Sequence, residues 1–126
     1  MLQALVIFLT KGKTFATTTK GELFVEVPDS MDEMHQGLAG RPALADGSGM
    51  LFDMYVETLH RFHMIGVAFP LDFIFVSSNQ RVVLVRPSQP PGTPVVAGIA
   101  RWVIEAPAGW AARHGVRAGT LVSFTF

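Results

Sequence analysis

Apolar and polar positions along this chain fall into short runs rather than into helical periodicity. Runs rich in Val, Ile, Leu and Phe, closed off by Gly, Pro, Asn, Asp or Ser, recur at Ala4–Thr10, Glu22–Val27, Gly49–Met54, Arg61–Met64, Asp72–Val76, Arg81–Arg86, Ile99–Glu105 and Leu121–Phe126. Strands joined by tight connections read this way. The pattern predicts a mainly β fold, a small, mostly antiparallel β-sandwich or barrel with one or two short helices.

Two segments break the strand pattern. Ser30 can cap a helix, with Glu33 three residues on completing a capping box, and Met31, Met34 and Leu38 then share one face. This predicts a helix from Met31 to about Leu38, ended at Gly40. Ala108–His114 predicts a further turn or two of helix, closed by Gly115. Ser77-Ser78-Asn79-Gln80 suits a hairpin connection, because serine and asparagine side chains can satisfy a turn's backbone. The prolines of Ser88–Pro94 fix φ and remove donors, which predicts a stiff exposed loop.

Composition narrows the class. The 126 residues suit one domain over the whole chain, and 49% apolar with 16% charged residues favours a packed core over disorder. Ten basic and ten acidic residues give no net charge, so nucleic acid is not an expected partner. Weak mutual repulsion leaves a homodimer open. The absence of cysteine excludes disulfides, thiolate nucleophiles and cysteine-ligated zinc. The apolar run Met1–Leu9 has no preceding Lys or Arg and is cut off by Thr10-Lys11-Gly12-Lys13, far short of the roughly 20 residues that span a bilayer. It reads as a first strand, with neither a membrane span nor a signal peptide expected.

Candidate chemistry is sparse. The chain has no phosphate-cradling glycine loop, nucleophile elbow, helical histidine pair or dinucleotide fingerprint, and no cofactor is expected. His60 and His63 are three apart, which places them on opposite faces of a strand and disfavours joint metal binding. Asp72 enters an apolar strand after Pro70-Leu71, as a turn cap or as a buried group needing a partner. Glu105 closes the Trp102-Val103-Ile104 run, and the two carboxylates could do acid–base work if they met. Arg41 could pair with either carboxylate or hold an anionic ligand, with a structural salt bridge the simpler role. Trp110 is the aromatic residue singled out as a ligand-stacking candidate.

Taken in order, Phe24-Val25-Glu26-Val27, Gly37-Leu38 with Arg41, Gly49-Met50-Leu51-Phe52, Phe62-His63-Met64, Pro70-Leu71-Asp72-Phe73-Ile74-Phe75 and Val103-Ile104-Glu105-Ala106-Pro107-Ala108-Gly109 resemble an uncharacterised bacterial and archaeal family, domain of unknown function 192. The likeness runs from about Leu23 to Phe126. It implies a small β-sandwich or barrel and almost nothing about activity; relatives of this kind are often exported or lipid-anchored. His63-Met64-Ile65-Gly66-Val67 stands where the family usually has Trp-Met-Lys-Asn-Thr, and Gly119-Thr120 replaces its Gly-Asp. Arg41, Met64, Asp72 and Glu105 match the resemblance and, with His63, form the expected site.

Three functions compete on these residues. A non-catalytic binding or accessory module, for a small polar ligand or a protein partner, is preferred because no activated nucleophile or metal set is present. A purely structural or assembly role comes second, with Gly37, Gly49 and Pro70 answering backbone demands. A small hydrolase or isomerase using Asp72 and Glu105, with Arg41 or His63 placing the substrate, comes third.

Overall fold

The structure, a computed structural model, describes residues 1–11 and 18–126. Seven strands, β1 (Leu2–Lys11), β2 (Thr18–Val27), β3 (Ser48–Phe62), β4 (Leu71–Val76), β5 (Val82–Gln89), β6 (Val96–Pro107) and β7 (Leu121–Thr125), form one sheet in the order β5-β4-β6-β3-β2-β1-β7. Two short helices accompany them, α1 (Met31–Gln36) and α2 (Trp110–Arg113). All pairings are antiparallel except β2 with β3, which run parallel over Phe24↔Ser48 to Glu26↔Met50. The parallel step follows from the crossover through α1, since a parallel pair cannot be joined by a tight turn.

The sheet curls into a half-barrel until its two outer strands touch. Arg81, just before β5, bridges Leu121 of β7, and the Val122 N–H donates to the Gln80 carbonyl at 2.9 Å. Joining the outer strands at this point reduces the exposed edge that an open sheet would present.

Each face of the sheet carries its own apolar core. Inside the curl, Val6 and Phe8 of β1, Leu23 and Val25 of β2, Leu51 of β3, Ile74 and Val76 of β4, Ile104 and Ala106 of β6 and Val122 of β7 pack together beneath Trp110 and Ala111 of α2. Outside it, Met50 and Phe52 of β3, Phe73 and Phe75 of β4 and Val103 of β6 pack under Leu38 and Met64 from the segments after α1 and β3. Alternation along each strand sends neighbours to opposite cores. Every residue of β4 is buried because both of its faces are covered, hence its unbroken Leu-Asp-Phe-Ile-Phe-Val run. Gly49 answers close packing rather than a special φ: a Cβ there would lie 2.3 Å from the Glu105 carbonyl oxygen and 2.8 Å from Leu23 Cδ2.

Several boundaries differ from the sequence reading. The runs Gly49–Met54 and Arg61–Met64 belong to one strand, β3, which ends at Phe62 and leaves His63 and Met64 in a loop. Between Asp53↔Trp102 and Thr58↔Ala100, residues 54–57 oppose Arg101 alone. This bulge disguised the continuity; it is held by Arg101 on the Asp53 carboxylate, at 3.1 and 3.2 Å, and by His60 Nε2 against the Val56 carbonyl at 2.8 Å. Helix α1 stops at Gln36, two residues short of Leu38, because Gly37 turns to φ 52°. Helix α2 is limited to Trp110–Arg113, and β5 runs on to Gln89, so only the later part of Ser88–Pro94 is loop. Strand β1 spans Leu2–Lys11 where the sequence predicts Ala4–Thr10, and Gly12 and Lys13, the last residues of the segment expected to cut off the first apolar run, lie outside the described residues.

Candidate functional site

Asp72 has a complete structural role. It is fully buried, and its carboxylate accepts hydrogen bonds from the backbone N–H groups of Ser88 (2.8 Å), Gly109 (3.1 Å) and Ala111 (2.9 Å). Gly109 precedes α2 without a side chain able to cap it, so Asp72 serves from a distance as that helix's N-terminal acceptor. Its bond to Ser88, at φ 46°, also fixes the irregularity between the Leu71↔Gln89 and Phe73↔Arg86 pairs.

Glu105 is the opposite case. It is only 5% exposed, yet it makes no hydrogen bond or ion pair with any described residue. Burial pushes its carboxyl up to about 8, so at neutral pH it is mostly a protonated acid, able both to donate and to accept. Asp72 pairs with Ala106 and Phe73 with Glu105, which places the two carboxyl groups on opposite faces of the sheet. The acid–base pair drawn from the sequence therefore does not form.

Arg41 meets neither of them. Its guanidinium pairs with the Glu26 carboxylate beside a groove of about 540 Å³ on the outer side of β1 and β2. Trp110, the stacking candidate, is buried in the inner core against Phe8, with ring centroids 5.3 Å apart. Met64 is fully buried in the outer core, and its backbone ties two loops together by donating to the Thr93 carbonyl and accepting from Gly92 N–H.

His63 and Glu105 do come together, as walls of a cavity of about 340 Å³ between α1, its following turn, β3 and the 63–67 loop. The lining is mostly apolar, with Met31, Met34, Leu38, Phe52, Met54 and Phe62 prominent. Phe52 and Phe62 meet edge to face with centroids 5.4 Å apart. Met31 and Met34 reach the cavity because helical spacing sets them on one side of α1, whereas Leu38 reaches it from the turn that follows Gly37. His63 Nδ1 accepts from Ile65 N–H at 3.1 Å, so in the neutral ring the proton sits on Nε2. His35 and Arg61 also line the cavity and went unnoticed in the sequence. Arg61 had no signal of its own, since the strand break placed there concealed which residues continue β3.

Among the described residues, no group of three metal-ligating side chains is placed to hold a metal ion, and no helix is long and apolar enough to cross a membrane.

Fold and site together define a small curled β-sheet protein with a cavity whose lining includes a single acid, Glu105. The chain belongs to the family described as uncharacterized ACR, domain of unknown function 192, whose pattern matches residues 14–124, starting somewhat earlier than the likeness read from the sequence. No curated protein matches it. The chain is similar to two solved structures. One, from Sinorhizobium meliloti 1021, is described as a candidate transcription regulator; it is 25% identical, with a TM-score of 0.88 over 98% of this chain and 94% of that one. The other is a protein of unknown function from Novosphingobium aromaticivorans DSM 12444, 26% identical, with a TM-score of 0.81 over 94% of this chain and 83% of that one.

Proposed function

We propose that this protein is a non-catalytic binding module whose outer cavity takes a small ligand with an apolar body and a hydrogen-bonding group at its inner end. One observation carries the reading: the largely buried Glu105 side chain has no partner among the described residues and lies at the cavity wall, where a ligand hydroxyl or carbonyl would complete it. With no protein group to satisfy it, the carboxyl is free to exchange a hydrogen bond with whatever occupies the cavity. The volume lies at the lower end of ligand pockets, about 300–1,000 Å³. Methionine walls adapt to an irregular apolar body at little cost.

The larger groove by Arg41 is the weaker choice, because the charges there already satisfy each other. The regulator description of the S. meliloti neighbour supports no DNA-binding reading here. The chain has no net charge, and the longer of the two helices among the described residues spans six residues.

The test is a titration of 1-octanol into isotope-labelled protein at pH 6.5, followed by amide chemical shifts. Saturable shifts centred on Leu38, Phe52 and Glu105 are expected. Failure to saturate up to the alcohol's solubility, or shifts centred on the Asp72 face, would refute the reading.

A further inference from the structure

Charge is distributed unevenly along this cavity. Its lining contains a single carboxyl group, the interior Glu105, whereas Arg61 with His35 and His63 supply every basic side chain. Arg61 is exposed and is unusual among the arginines. Arg41, Arg101 and Arg113 form ion pairs with Glu26, Asp53 and Asp46. Arg81 and Arg86 donate to the carbonyls of Gly119 and Ala97, and Arg117 also has an interaction. Among the described residues, Arg61 is the one arginine with no hydrogen bond or ion pair. Its place in β3 is fixed by the backbone pairing Arg61↔Ala97, so the side chain is not needed to hold the strand.

Resting on the binding reading above, we propose that the ligand is a small apolar monocarboxylate, with its anionic head at Arg61 and its tail running inward along Phe52, Phe62 and the methionines. A planar guanidinium with all its donors unused matches a carboxylate's two oxygens. The mostly apolar lining suits a hydrocarbon tail and offers no second cation to a dianion other than the two histidines. The inner acid, neutral at physiological pH, does not repel the negatively charged molecule and can meet a polar substituent farther along its chain.

The experiment compares octanoate, 1-octanol and octylamine by calorimetric titration at pH 7, against the wild type, Arg61→Gln and Arg61→Lys. Octanoate is expected to bind the wild type about tenfold more tightly than 1-octanol, and octylamine more weakly than either; tenfold is the low end for a charge-assisted bond at an exposed rim. Arg61→Gln should bring octanoate to the level of the alcohol while leaving the alcohol unchanged, with Arg61→Lys recovering part of the difference. Equal binding of octanoate and 1-octanol, or an equal loss of both in Arg61→Gln, overturns the carboxylate proposal and leaves the cavity reading intact. If none of the three binds, the cavity reading falls and takes this proposal with it.

Discussion

Asp72 and Glu105 lie on neighbouring strands, one register position apart, and both are buried. On the inner face Asp72 receives three backbone N–H groups and orders α2. On the outer face Glu105 receives none, and its carboxyl rises to about 8. Burial alone thus says little about what an acid does; its hydrogen bonds decide. One side of the sheet has completed its polar accounting and is architecture. The other side leaves the Glu105 carboxyl facing a cavity.

The largest effect should come from the inner side. Asp72→Ala orphans three N–H groups, that of Ala111 buried and those of Ser88 and Gly109 partly buried, and is expected to cost about 3–5 kcal/mol in urea unfolding, with α2 loosening first. A loss below about 1 kcal/mol would show that Asp72 does not hold the helix.

Glu105 should behave with the opposite sign. Between its ordinary value of 4.5 and about 8, the unfolded chain has released a proton that the folded chain retains. Its contribution to stability is therefore full below pH 4.5, declines as pH rises through that window and is gone above about 8. Glu105→Gln removes the titration. The variant should gain on the wild type with rising pH, by up to roughly 1.4 kcal/mol per unit, when chemical denaturation is repeated from pH 4 to 9. Parallel stability curves for the two proteins would break the contrast.

A smaller effect probes the turn that roofs the cavity. Gly37 sits at φ 52°, and a Cβ there would have room, 3.6 Å from the Phe52 ring. Gly37→Ala should cost about 1 kcal/mol from the backbone alone, measurable as a lower unfolding midpoint. The smallest belongs to Arg41: its pair with Glu26 is about one-third exposed on each side, so Arg41→Gln should cost under about 1 kcal/mol and nothing measurable in 1 M salt.

Sequence reading reached the strands well and the site unevenly. Period-two burial made β1 and β2 legible, the nearly unbroken apolar run did so for β4, and the Ser30–Glu33 pattern located α1, where Ser30 Oγ accepts from Glu33 N–H at 3.1 Å. The Glu33 carboxylate accepts from Asp29 N–H rather than from Ser30, a small departure from the expected box. The bulge in β3 was not legible, because residues 54–57 have the strand-forming composition of their neighbours and only the partner strand reveals the mismatch. Of the expected site residues, His63 and Glu105 share the cavity, Met64 packs in the core beside it, and Arg41 and Asp72 have partners elsewhere.

By itself the sequence determined the class of fold, the one-sided helix and the short list of polar residues worth locating, because alternation, capping and turn chemistry are local properties of the chain. Tertiary structure decided which acid would be satisfied and which left alone. Strand parity sends Asp72 and Glu105 to opposite faces, and the neighbours on each face come from residues far away in sequence. An acid's proton affinity is set by those neighbours, and no local pattern records them.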